Sequence, residues 1–592
     1  MKIRSIITAT LFVMAAGACS DDFLENKPQG TLSEGNMNDP EAVDLLITGA
    51  YATFGCRYAD SNDPHWFPLT NWSFGEVRSD NAYKGGGGVT DAREIHDMET
   101  ANVQPNNGHL DGKWFNLYCG ISRCNSAIRA LEKFDEDVIK EKNARLAEVR
   151  VIRDHWYFEL VRHFNRIPYM DVGLPENQYV SVRNDEFTRD QHLARIAADL
   201  LDAADQLPET QPEIGRINRR MALAYAAKVK LYQAYKQDPE TNAVVEIDKT
   251  LLREVVELID QVKGYDLLGD FQQLDMLEYE NGIESVMAVQ FSKGDGSADG
   301  GRVNWSMLLN SMTGTGCPWQ GDGFFLPSQD LINAYQTDED GLPIFEYQKR
   351  LPYGIVKMGS EPDSFYLDNV EGNVDPRLDF VTGRPTIRYK TYTEKACGLW
   401  VRNTTDYGYN NTKRFWLSPE SPDAIHGWPW GASGLNWQII RYADLLLYKA
   451  EALIEIGNID GLGQARELIN RIRQRAKDSA YVKDFNDSTK DAAHYKIGLY
   501  PDNSNWTQEY ARKALRTEMR LEKAMEGERF FDLVRWGIAK ETMNNYFEAE
   551  KETRTYYQNA TFDMGEEYCP IPVAQYNFSG GIYVQNPGYP KF

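Results

Sequence analysis

A chain of 592 residues can bury a large core in more than one lobe. Its net charge of −24 excludes nucleic acid as a partner, because binding phosphates requires a basic surface. Aromatic residues make up 12% of the chain, and many fall in segments that read as loops, where rings are candidates for contact with a flat, partly apolar ligand.

Residues 1–18 have the layout of a secretory signal: Lys2 and Arg4, then an apolar run over 6–16 too short to span a bilayer. Ala16, Gly17 and Ala18 lead directly into Cys19, and this resembles a bacterial lipobox, in which the cysteine thiol is lipidated. Asp21 and Asp22 follow, similar to the acidic export signal of surface lipoproteins, so the expected state is anchored by acyl chains at 19–38 and not spanning.

After this polar tether, Asp39-Pro40 opens a helix to about residue 55. Residues 57–110 read as mostly irregular, with Trp66, Trp72 and Tyr83 crowded before a run of glycines, Gly85 to Gly88. No strand leads into that run and no Lys-Ser/Thr follows, so it reads as a flexible loop edge and not a phosphate cradle. Helical periodicity covers about 111–134, 139–165, 188–206, 217–236 and 250–264. Between 280 and 433 the pattern breaks into β-like runs at 284–291 and 384–391 and one helix at 328–337, with Trp305, Trp319, Trp400, Trp416, Trp428 and Trp430 among Gly, Pro, Asp and Asn clusters. This aromatic content argues for a packed, loop-rich lobe carrying part of a binding face. Residues 434–477 form two amphipathic helices around Gly457, and a further helix covers 507–529. The fold class is therefore mainly α: a tetratricopeptide-like stack of helical hairpins over 39–279 and 434–592, with the partly β lobe of 280–433 packed on it.

Three stretches together resemble the SusD/RagB family of outer-membrane glycan-binding lipoproteins: IIRYADLLLYKAEALIEIGN with ARELINRIRQRA, LRTEMRLEKAMEGERFFDLVRWG at 515–537, and CPIPVAQYNFSGGIYVQNPGY at 569–589. CSDDFLENKPQG, ARLAEVRVIRDHWYFELVRHFNRIPY, GDGFFLPSQDLINAYQTDEDG and DPRLDF agree with it, so the likeness covers the whole mature chain. It implies a non-catalytic protein, held at the outer membrane by lipid, that captures oligosaccharide as a lid over a TonB-dependent transporter of SusC type. It implies no cofactor and no metal. VRSDNAYKGG also resembles a subgroup that includes fructan binders.

Sugar rings lay apolar C–H faces on Trp and Tyr and offer edge hydroxyls to Asp, Asn and Arg. The candidate glycan contacts are Trp72, Asp80, Asn81 and Tyr83 from the early loop and Trp305, Trp319, Arg388 and Trp416 from the lobe. Trp114, Trp156 and Trp536 read as core, and Arg441 and Glu522 as scaffold pairing. Two other readings stand beside this one: a tetratricopeptide scaffold binding peptide or protein, and a surface glycoside hydrolase. The chain has no GxSxG, HExxH or P-loop sequence, and its seven cysteines show no zinc-ligand spacing.

Overall fold

The computed structural model describes residues 39–55, 69–296, 302–361, 363–427 and 431–592. The signal segment, Cys19, the tether, Trp66, Trp428 and Trp430 lie outside the described residues. The long helices are α1 (Pro40–Ala52), α2 (Gly108–Glu132), α3 (Lys142–Phe164), α4 (Arg189–Gln206), α5 (Arg219–Ala234), α6 (Lys249–Gln261), α7 (Tyr442–Ile456), α8 (Ile459–Asp478), α9 (Gln508–Glu522) and α10 (Ala539–Glu550). Side-chain caps fix most of their starts. Asn107, Thr188, Asn218, Asp248, Asn458 and Thr507 each accept from backbone N–H groups that the first turn leaves unpaired. Gly457, at φ +79°, ends α7 in the left-handed conformation.

From α2 to α8 each helix packs on the next, the tetratricopeptide-like arrangement the periodicity predicts. The stack is continuous across the lobe: α6 packs directly on α7, although the whole irregular region lies between them in sequence. Among the described residues no helix is long and apolar enough to cross a membrane.

Two short antiparallel ladders stitch the lobe to the scaffold. Strand β1 (Ala82–Gly85) pairs with β3 (Phe324–Pro327), placing Tyr83 opposite Leu326. Strand β2 (Ser285–Val289) pairs with β4 (Trp437–Arg441), which runs straight into α7. The 284–291 expectation is thus met by β2, and 328–337 by a helix at Gln329–Ala334.

Other expectations need correction. The 384–391 run is not a strand, because Thr386 and Lys390 have φ of +74° and +51°, which no extended chain accommodates. The 507–529 helix stops at Glu522. Met525 and Gly527, at φ +69° and +82°, turn the chain before a separate helix at Arg529–Arg535. The 57–110 region carries a π-helical turn at Trp72–Val77 and a helix at Arg93–Glu99.

The glycine run is not a flexible edge either. Gly86 N–H donates to the Gly323 carbonyl at 2.8 Å, and a Cβ on Gly85 would meet that same oxygen at 2.5 Å. The Lys84 ammonium is wrapped by the carbonyls of Gly85 and Gly88, at 3.0 and 2.9 Å. Only glycine lets the backbone close this tightly around a buried cation.

Candidate functional site: two clefts beside a charged core

The early-loop candidates lie inside the protein. Trp72 is fully buried against Phe324 and Phe325. Just after it, the Glu76 carboxylate accepts from the backbone N–H groups of Gly527 and Glu528 at 2.8 and 3.1 Å and from Asn81 Nδ2 at 2.8 Å. Asp80 takes both arms of the Arg529 guanidinium, at 2.8 and 2.9 Å, and Arg520 Nε donates to Asn81 Oδ1 at 2.8 Å. The Tyr83 hydroxyl donates to Glu550 at 2.7 Å, with Arg554 over its ring. The structure does bring these four residues together, but as the plug that locks the early loop onto the 515–537 motif. The polar groups of Asp80, Asn81 and Tyr83 that a sugar would need are already taken. The segment that carried the fructan likeness is the same buried segment.

The three candidate indoles of the lobe, Trp305, Trp319 and Trp416, are buried as well. Trp319 and Trp416 lie 6.0 Å apart in the main core, and Tyr389 bridges Trp319 to Trp400. Half-buried Arg388 sits over the Phe485 ring and donates to the Tyr392 carbonyl at 3.1 Å. The expected outward-facing rings are therefore absent at Trp72, Tyr83, Trp305, Trp319 and Trp416, because loops this rich in Trp build their own core from them. Trp114, Trp156 and Trp536 are core, as expected.

Trp305 differs. It belongs to a satellite cluster with Val303, Leu308 and Ala432, apart from the main core, and it lines a cleft of about 420 Å³. Tyr51 from α1, Phe54 from the 3-10 turn after it, Phe291 and Gln290 after β2, and exposed Arg302 also line it. The Tyr51 hydroxyl is fixed, donating to Glu148 at 3.0 Å and accepting from the Ile217 N–H at 2.9 Å. Apolar walls with a few polar edge groups suit a sugar ring. The sequence reading missed Tyr51, Gln290, Phe291 and Arg302, which come from three separate segments with no shared motif.

A second cleft, of about 370 Å³, opens between residues 271–278 and the lobe. Phe271 and Phe380 stack in its wall at 5.9 Å, with Thr391, Ser418 and Ser421 supplying hydroxyls. Lys390 and Lys413 also line it. Burial pushes the Lys413 ammonium down to about 7, against the opposing pull of the Asp379 charge.

The core also holds a buried ionic network. Glu522 accepts from Arg377 at 3.0 Å and from Arg441 at 2.7 Å, and also pairs with Arg475. Arg441 reaches on to Glu284 at 2.9 Å and Glu526 at 3.1 Å, and Arg377 to Glu518 at 2.6 Å. Burial alone would push the Glu522 carboxyl up, but Arg475, Arg441 and Arg377 outweigh it and hold it at about 2. Among the described residues no group of three or more His, Cys, Asp or Glu is arranged to hold a metal ion.

The model of the SusD family matches residues 283–589, just over half of the sequence. The chain belongs to the SusD family. Residues 22–231 match a second model, described as starch-binding associating with outer membrane. The chain is 23% identical to the SusD-like protein P2 of Formosa agariphila over 98% of its own length and 99% of the relative's. A SusD homolog from Bacteroides thetaiotaomicron shares the fold at a TM-score of 0.69 and 19% identity, covering 95% of this chain and 100% of that one. Surface glycan-binding protein A of the same organism, solved in complex with laminarihexaose, matches at a TM-score of 0.60 and 18% identity over 92% and 99% of the two chains. For a SusD-family chain, the motif at 515–537 is scaffold: it supplies Glu518, Glu522, Glu526, Arg520 and Arg529 to the core.

Proposed function

We propose that this protein captures oligosaccharide at the cell surface without cleaving it, and presents it to a TonB-dependent outer-membrane transporter of SusC type. The observation that carries this reading is the pair of family matches, over residues 22–231 and 283–589, the first described as starch-binding associating with outer membrane. The similar glycan-binding protein bound to laminarihexaose supports a carbohydrate ligand. In this reading Cys19 carries the lipid anchor, and the tether to residue 38 holds the domain at the membrane surface.

The sugar seats in the cleft of Trp305, where Phe291, Tyr51 and Phe54 give apolar wall and Gln290 and Arg302 give edge hydrogen bonds. One stacking contact contributes about 1 kcal/mol, so a single site binds in the micromolar-to-millimolar range. Affinity electrophoresis of the full chain against a panel including β-glucan, starch and fructan tests this. Retardation on at least one polysaccharide, with no new reducing ends after incubation, is the expected result. New reducing ends would make it a hydrolase, and no retardation on any glycan would favour a peptide-binding scaffold.

A further inference from the structure

The second cleft is lined by a buried lysine that has no ion pair among the described residues. Lys413 is 2% exposed, and its ammonium donates to one neutral acceptor, the Asp379 carbonyl, at 2.7 Å. The Asp379 carboxylate beside it is already engaged by Arg384 at 2.9 and 2.6 Å and by the Tyr495 hydroxyl at 2.6 Å. Among the described residues no carboxylate lies within ion-pairing distance of Lys413. Its neighbour Lys390 shares Asp275 with Arg414, at 3.3 and 3.2 Å. The inner wall thus presents Lys390, Lys413 and Asp275, with Arg384 and Arg414 behind it engaged by Asp379, Asp275 and Glu526. A buried ammonium with spare donors is costly unless an anion meets it.

We propose that this cleft binds an acidic sugar, seating an isolated uronate carboxylate on Lys413 and Lys390 with the sugar ring beside Phe271 and Phe380. The chemistry of the wall matches each part of such a ligand: ammonium groups for the carboxylate, the stacked phenyl pair for the C–H face, and Thr391, Ser418 and Ser421 for ring hydroxyls. Exposed Glu278, Glu420 and Asp423 also line the cleft. Water screens them, yet together with the chain's overall acidity they repel a densely charged polymer, so the site selects a chain with sparse uronate substituents. This assignment rests on the glycan-binding reading and deepens it with a ligand class.

The test is calorimetric titration of the full chain at pH 6.0 and low salt with the methyl glycosides of glucuronate and galacturonate, their neutral methyl esters, and inorganic sulfate. At least one acid should bind ten or more times tighter than its ester and than sulfate. Lys413→Met should erase that preference while melting no lower than wild type, because it removes an unpaired buried charge. Esters binding as well as acids, sulfate competing equally, or Lys413→Met retaining the preference would each overturn the assignment. The ester comparison uses wild-type protein and stands even if the variant misfolds. Retention of neutral polysaccharide in affinity gels separates the two levels. Retention without acid preference removes only this inference, whereas no retention and no sugar binding removes the glycan reading with it.

Discussion

Arg441 Nη1 donates to Glu522 Oε1 at 2.7 Å, and Arg441 Nη2 donates to the main-chain carbonyl of the same residue at 2.9 Å. One guanidinium thereby ties the start of α7 to the end of α9, 81 residues away, and through Glu284 to β2 of the lobe. Removing either partner leaves a buried charge unmet. Glu522→Ala and Arg441→Met should each cost about 3–5 kcal/mol in denaturant unfolding. The folded fraction should bind glycan with wild-type affinity. A variant of normal stability that fails to bind would contradict this assignment.

Asp80 obeys the same logic through Arg520, on the same helix as Glu522. Its carboxylate meets Arg529 and Arg520 in the core, so Asp80→Ala should lower stability by about 3 kcal/mol and leave affinity for any identified glycan unchanged within twofold. Parallel melting curves and titrations of the purified variant check both halves.

Two glycines should respond in opposite directions. A Cβ on Gly75 would sit 1.8 Å from the Gly527 carbonyl oxygen, backbone against backbone, so Gly75→Ala should abolish soluble expression or lower the melting temperature steeply. Gly463, inside α8, has nothing within 4 Å of its Cβ position. Gly463→Ala should therefore stabilise by about 0.5–1 kcal/mol through helix propensity.

Acid should unlock the ionic core. Burial works against ionisation of Asp80, Glu522 and Glu528, yet their arginine and lysine partners hold all three at about 2, below the unfolded values of 3.8 and 4.5. A depressed carboxylate gives stability that is complete above its unfolded pKa and is lost as pH falls through the folded one. Their contribution should persist down to about pH 4.5 and vanish by pH 2. In Glu522→Gln the acid transition over that window should shrink, as read by circular dichroism across a pH series.

Much of the scaffold is legible in the sequence because it follows local rules. The caps at Asn107, Thr188 and Asn218, the Gly457 stop and the 3.6-residue periodicity each act within one helix. The binding face is not legible in this way. Trp72 and Trp305 look alike in the chain, each an indole in a polar, loop-like stretch. Long-range partners separate them: Phe324 and Phe325 close over Trp72, while Trp305 is buried in a satellite cluster and lines a cleft. Asp80 and Asn81 read as sugar-binding because their guanidinium partners, Arg520 and Arg529, lie more than 400 residues away. Lys413 gives no sequence signal at all. Its significance comes from Asp379 being claimed by Arg384 and Tyr495.

The claim that the Trp305 cleft holds the sugar is tested most directly by calorimetric titration of Trp305→Ala with a neutral oligosaccharide that the wild-type protein binds, well below the melting temperature of the variant. Loss of the ring should weaken binding about fivefold, or about 1 kcal/mol, in a protein that keeps its helical spectrum. Wild-type affinity in that variant would place the sugar elsewhere on the molecule.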